Sequence, residues 1–333
     1  IERGLIPIPK STNKARIAQN IDLFDFELTK DEVDAISAFN KNVRVIDGLW
    51  FKDFPYFPFE GVEREPSVLA MAEKAPTIAL NDGCSIPILA LGTYGSSQDI
   101  ARMRQAVVSA IEAGYRHIDT ASLYNNEDKI GEGIAEAVQK GLVTRDELFV
   151  TTKLWNDKHA KDQVVPALRE SLRKLGLDYV DLYLIHSPTA EKADGSPADI
   201  DFLETWEGME ECKKLGLARS IGVSNFDIKQ IDRIIDNSGV RPAVNQIEIH
   251  PSNTQEQLVS DCQHRNITVM AYSPFGFLVS RGKENAPPPR KDDPALVEIA
   301  KRYGKTTSQV VLRYLVNRQT PDSSAKVDQQ AAH

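Results

Sequence analysis

The sequence predicts a (β/α)8 barrel, and three observations lead there. From Leu89 to Val316, apolar runs with strand character alternate with amphipathic helical stretches, the pattern of a parallel sheet covered by helices. A hairpin signal, two apolar runs about Asn81-Asp82-Gly83, precedes that series. The series holds seven strand–helix units, one short of a closed barrel, and a further short strand with its own helix stands at the N-terminus, at Leu5–Pro9.

In chain order, Leu5–Pro9 reads as a short buried strand punctuated by proline. Ser11 or Thr12 is placed to cap the helix that follows. Lys10, Lys14 and Arg16 at that helix start suit an anion, or equally a solvated cationic surface. Thr29 and Glu32 have capping-box spacing for a second helix. The stretch from Trp50 to Phe59 is too aromatic and too broken by proline for a helix or a central strand. It reads as a loop packed on a surface or a lid over an apolar pocket. Residues 61–76 read as a linker and 77–89 as the hairpin. Strands are expected at Leu89–Thr93, Tyr115–Asp119, Leu148–Lys153, Val180–His186, Ala218–Ser224, Val244–Ile249 and Thr268–Tyr272. Helical periodicity marks stretches such as Ala101–Ala113, Val164–Leu175 and Ile228–Asn237, and closes with Ala295–Tyr303 and Ser308–Val316. Residues 319–333 are polar and unpatterned and read as a disordered tail. The domain reading is therefore 1–60 as the eighth unit plus an aromatic substrate loop, 61–76 as linker, and 77–318 as hairpin and first seven units of the same barrel.

Composition narrows the function classes. Over 333 residues, 41% hydrophobic and 26% charged content are ordinary for a globular protein. A net charge of -8 argues against binding nucleic acid or an acidic membrane face. No apolar run approaches a bilayer span, and Ile1-Glu-Arg-Gly4 is not a signal peptide. Cys84, Cys212 and Cys262 form neither a disulfide framework nor a zinc site, so no metal and a reducing, cytoplasmic setting are expected, with a monomeric chain.

The expected strand ends carry the chemistry. Asp119 closes one strand, with Tyr124 on the loop after it; Lys153 and His186 close the next two. Taken alone, Asp119 would start a turn and Tyr124 would pack on a helix. Together the four have a chemical logic. A free phenol, with a pKa of about 10, is too weak an acid near neutrality. A buried ammonium favours the phenolate, and a carboxylate keeps that ammonium charged. A histidine orients a substrate oxygen. Such a site protonates a carbonyl and needs a hydride from elsewhere, which implies a nicotinamide cofactor.

The motifs LGTYG, HIDTASLYNNE, TTKLWN, LIHSP, GVSNF, NQIEIHP and AYSPFG follow one another from Leu91, and the chain resembles the aldo-keto reductases. That family's closing motif, IPIPKSTNKARI, lies at residues 6–17. The resemblance implies a soluble, NADPH/NADP+-dependent reductase of small-molecule aldehydes and ketones. It implies Tyr124 as general acid, Lys153 and Asp119 tuning it, and His186 orienting the carbonyl. It places Gly92, Thr93, Tyr94, Ser224, Asn225 and Gln246 about the nicotinamide end, with Tyr272 stacked on the ring and Ser273 along the pyrophosphate. Lys10, Ser11, Thr12 and Arg16 would hold the 2′-phosphate, and Gln19 and Asn20 the adenine.

Two features depart from the family pattern. Ser187 follows the catalytic histidine where a tryptophan is common. With Tyr94, Trp155 and Trp50 as walls, this predicts a roomy apolar pocket open to bulky ketones of steroid type, such as 3-dehydroecdysteroids, as well as to aldehydes. The family's closing motif stands at the start of the chain, and Val316-Asn-Arg318 resembles Ile1-Glu-Arg3. That order fits a permutant or a composite of two tandem copies. The alternative functional reading is a cofactor-binding barrel without catalysis, serving as a regulatory or structural subunit. A scaffold has no need of Tyr124, Lys153 and His186 together, so the enzyme reading leads.

Overall fold

The computed structural model describes residues 4–42, 75–278 and 290–318. Trp50, the aromatic stretch, most of the expected linker and the expected disordered tail lie outside the described residues.

Eight parallel strands form one curved sheet. In spatial order they are β1 (Ile6–Ile8), β10 (Thr268–Tyr272), β9 (Val244–Glu248), β8 (Ala218–Ser224), β7 (Val180–Ile185), β6 (Phe149–Leu154), β5 (His117–Asp119) and β4 (Leu91–Gly92). β2 (Thr77–Ala79) and β3 (Ser85–Pro87) pair separately as the antiparallel hairpin. Every residue of β6, β7 and β9 is buried, because helices cover the outside and side chains fill the inside. Between strands run the covering helices, among them α3 (Ser97–Glu112), α4 (Glu127–Gln139) and α5 (Lys161–Leu175). Among the described residues no helix is long and apolar enough to cross a membrane.

β1 closes the ring. On one side it is in register with β10, Ile6 opposite Met270 and Ile8 opposite Tyr272. On the other, Ala90 N–H donates to Pro7 O at 3.2 Å and Gly92 N–H to Pro9 O at 2.9 Å, with a bridge at Lys10 and Gly92. Pro7 and Pro9 have no N–H to return, so this seam carries half a ladder. The expected strand Leu89–Thr93 is shorter than predicted, the two residues of β4, paired with β5 at Leu91–Ile118 and Gly92–Asp119. The segment docks at its outer end as well. Leu5 N–H donates to Leu315 O of α10 (Thr307–Asn317) at 3.1 Å. Gly4 lies so close to the Val316 carbonyl that a β-carbon there would collide with it.

Inside the barrel, Ile6, Ile8, Leu182, Leu184, Val244 and Met270 make one apolar cluster with Leu80 and Ile86 of the hairpin region. The hairpin therefore stoppers the end opposite the strand C-termini, and functional side chains have only the other end to occupy. Helix starts follow local chemistry. Thr29 and Glu32 form the expected capping box of α2 (Lys30–Ser37). Ser96 and Asp99 form another, which begins α3 four residues before the periodicity alone suggests. α1 (Lys14–Ile21) is capped by Asn13, whose side chain accepts the Arg16 N–H, and not by Ser11 or Thr12. Ser11 instead takes the N–H of the cap residue Asn13, two residues too early to cap. α4 packs closely because Gly133 lets it approach the Arg104 carbonyl, where a β-carbon would stand 2.8 Å away.

A chain beginning at Ala75 lacks Leu5, Ile6, Ile8, Ile17, Ile21 and Leu23, all buried. At ~1.5–3 kcal/mol for each large side chain, that loss matches the whole stability of a domain, ~5–15 kcal/mol. The expected outcome is no cooperative melt by calorimetry; a sharp two-state transition would show that the ring does not need β1.

Candidate active site

The open end of the barrel gathers the four predicted side chains. Asp119 is the last residue of β5, Lys153 the fifth of β6, and His186 follows β7, tied by its N–H to Leu154 O at 3.1 Å. Tyr124 ends a single 3-10 turn, Ser122–Tyr124, that Asn125 stops at φ 51°. Ser122 Oγ donates to Lys153 O at 2.9 Å, which fastens this turn over β6.

Lys153 is the hub. Its Nζ donates to Asp119 Oδ1 at 2.6 Å, to Thr120 O at 2.9 Å and to Tyr124 Oη at 3.3 Å. All three ammonium hydrogens are used, and the side chain is 1% exposed. The second oxygen of Asp119 accepts from Gln246 Nε2 at 2.7 Å. Burial lowers the Lys153 pKa, and the Asp119 carboxylate works against that fall. Burial also drives the Tyr124 phenol well above its ordinary value, and the charge of Asp119 and the neighbouring Tyr94 add to the rise. Lys153 meets this phenol as a hydrogen-bond donor, while burial and the Asp119 charge favour its protonated form. The phenol carries its proton, as an acid must before it acts. His186 is held neutral: burial and the Lys153 charge both push its pKa far down. Its Nδ1 is buried without a hydrogen-bond partner among the described residues.

Aromatic rings line the mouth. Tyr94 stands edge-on to Tyr124 at 5.2 Å, Tyr124 to His186 at 5.8 Å, and Trp155 to His186 at 5.1 Å. Tyr94 is 42% exposed. Ser187 leaves its place beside His186 without a ring. Its hydroxyl donates to Asn156 Oδ1 at 3.0 Å and accepts the Thr189 N–H, so it turns into the loop.

Residues implied for the nicotinamide end cluster with the four. Ser224 Oγ donates to Gln246 O at 2.8 Å and accepts from Asn225 Nδ2. Asn225, at φ 63°, also donates to His186 O and accepts the Tyr272 hydroxyl at 2.8 Å. Thr93 Oγ1 donates to Asp119 O at 2.9 Å, next to Gly92 at the end of β4. Ser273 follows at φ 51°, its carbonyl taking the Gly276 N–H. The implied phosphate end lies across the β1–β4 seam. Lys10 Nζ pairs with Asp99 Oδ2 at 2.8 Å, and Thr12 Oγ1 donates to Asp99 Oδ1 at 3.4 Å. Arg16 and Asn20 fall one turn apart on α1, Arg16 half-buried and Asn20 buried, with Gln19 exposed beside them.

Sequence reasoning assigned no role to Asn126 and Asp99. Asn126 is fully buried, donating to Thr93 O at 2.8 Å and accepting from Thr120 Oγ1, which joins the loops after β4 and β5. Its only signal was its place inside HIDTASLYNNE. Asp99 was legible as the partner of Ser96 three residues on in a capping box, a local motif that says nothing of Lys10.

The Aldo/keto reductase family model matches residues 89–327. Aldo-keto reductase AKR2E4 of Bombyx mori is 64% identical over 252 residues, 74% of this chain and 82% of the relative. Aldo-keto reductase family 1 member C3 of Homo sapiens is 41% identical over 264 residues, 74% of this chain and 81% of the relative. The crystal structure of the Bombyx mori AKR2E4 protein in complex with NADP superposes with a TM-score of 0.72 at 64% identity, covering 74% of this chain and 81% of that one. A second, of AKR2E5 complexed with NADPH, gives 0.70 at 42% identity over 75% of this chain and 85% of that one. With the barrel, the Asp–Tyr–Lys–His cluster and these likenesses together, the chain belongs to the aldo-keto reductase family.

Proposed function

We propose that the protein reduces aldehydes and ketones to alcohols with NADPH, and that Tyr124 gives the proton. The observation that carries this is the buried Lys153 ammonium, 2.6 Å from Asp119 and 3.3 Å from the phenol of Tyr124. The donors and acceptors fit the cofactor. Ser224, Asn225 and Gln246 offer amide and hydroxyl groups beside the partly exposed Tyr272 ring. Lys10 and Arg16 bring two cations to the far seam. Solved relatives hold NADP and NADPH.

When bound, the reduced nicotinamide supplies the hydride. The chain's own groups do the rest. The neutral His186 and the Tyr124 hydroxyl hold the carbonyl oxygen between them. As that oxygen gains charge, Tyr124 passes its proton to it, and the resulting phenolate meets the Lys153 ammonium already hydrogen-bonded to it. Asp119 keeps the ammonium charged where burial alone would discharge it. Gln246 and Thr93 hold Asp119. The alcohol leaves, and solvent returns a proton to the phenolate.

The substrate class follows from the wall that Ser187 does not build. With the Ser187 hydroxyl turned to Asn156 and no ring at that position beside Tyr94 and Trp155, we read this side as suited to a bulky ketone. The chain order is read as one barrel whose eighth unit, in residues 1–60, is joined by the 61–76 linker to 77–318. The Leu5–Leu315 bond at 3.1 Å supports it, since it sets the start of β1 against the end of α10. Either a true permutation or a tandem composite would produce this order.

Tyr124→Phe keeps the ring and removes the proton, so turnover should fall ~10²–10⁴-fold with NADPH binding little changed. Wild-type turnover in this variant would exclude Tyr124 as the acid. Lys153→Met strands the buried Asp119 charge and should cost ~3–5 kcal/mol in urea unfolding. A loss under ~1 kcal/mol would show that water reaches the pair. In a substrate panel, bulky ketones should react alongside aldehydes; turnover of short aldehydes and sugars alone would refute the open pocket.

A further inference from the structure

The seam between β1 and β4 holds a carboxylate where the cofactor reading needs cations. Asp99 takes the Lys10 ammonium at 2.8 Å on Oδ2 and the Thr12 hydroxyl at 3.4 Å on Oδ1. It also accepts the Ser96 N–H at 3.1 Å and the Ser96 hydroxyl at 3.0 Å, which holds it in place at the first turn of α3. The pair is largely sheltered, with side-chain exposures of 24% for Lys10 and 19% for Asp99. Gly95 gives it room, since a β-carbon there would stand 2.6 Å from Asp99 Cβ.

Resting on the reading that Lys10 faces the adenosine 2′-phosphate, we propose that Asp99 sets the preference between NADPH and NADH, as an anion that competes with that phosphate for Lys10. The ammonium has three donors on one point charge, so it can touch a carboxylate and a phosphate together. The two anions then lie within a few ångströms of each other, and like charges at that range repel. NADPH bears this repulsion and NADH, without the phosphate, does not. Asp99 therefore lowers the preference for NADPH below what Lys10 and Arg16 would set by themselves, and it eases cofactor release. It acts through Lys10 and touches no reacting atom, so it is a positioning residue.

Asp99→Asn and Asp99→Gln both remove the charge and keep an oxygen for Ser96, and glutamine is itself a capping-box residue. Dissociation constants for NADPH and NADH, by cofactor fluorescence at low and high salt, test the proposal, with Lys10→Met as control. In both Asp99 variants NADPH should bind roughly 3- to 10-fold tighter and NADH within about 2-fold of wild type, the gain shrinking at high salt. Any other pattern overturns the proposal: NADPH affinity unchanged or weakened, or both cofactors tightened alike. Lys10→Met separates the two failures. If it weakens NADPH and spares NADH, the phosphate reading stands whatever Asp99 does. Equal losses for both cofactors sink the phosphate reading itself.

Discussion

A buried ion pair sets the terms for the catalytic end of this barrel. Lys153 and Asp119 meet at 2.6 Å in a setting almost free of water, where neither charge is stable without the other. Their remaining lone pairs and protons must also be matched, and the structure matches them with Thr120, Tyr124, Gln246 and the Asp119 carbonyl's partner Thr93. These groups come from the segment after β4, the loop after β5, and β9, while Lys153 itself lies on β6. One charge pair thus ties together side chains from strands far apart in sequence, and the tetrad and the side chains of Ser224, Asn225 and Gln246 form one hydrogen-bonded unit.

Such a unit explains a seeming conflict. A buried phenol next to a carboxylate is a poor acid, and Tyr124 is held well above its ordinary pKa. That is the protonated resting state the proposed proton donor requires. In the proposed reaction, charge developing on a substrate oxygen changes the balance only then, and the ammonium already faces the phenol. The site gains by having little to rearrange when that charge appears.

The ring that holds these strand ends in place is weakest at one seam. β1 brings two prolines to the side facing β4, so only carbonyls are offered there. Side chains make up the difference. Lys10, Thr12, Asp99 and Ser96 bridge the same gap with an ion pair and hydrogen bonds. The seam of the fold and the proposed phosphate end of the cofactor site are one place, which is why a charge there bears on both.

Much of this was legible in the linear chain. Alternating periodicity, a hairpin signal and capping-box spacing at Thr29 are local, and local rules read them. Asp119, Tyr124, Lys153 and His186 were recognisable because their types suit one chemistry and their places at strand ends recur. The first helix was misread at its cap, since Ser11, Thr12 and Asn13 all qualify and only backbone geometry selects Asn13. The hydroxyl of Ser187, the bond from Gln246 to Asp119 and the pairing of Lys10 with Asp99 were invisible, because each joins residues that only the closed ring brings together. The direction of the Tyr124 pKa belongs with them. Residue type says which groups can exchange a proton; burial and the distance to neighbouring charges, which exist only after folding, decide where the proton rests.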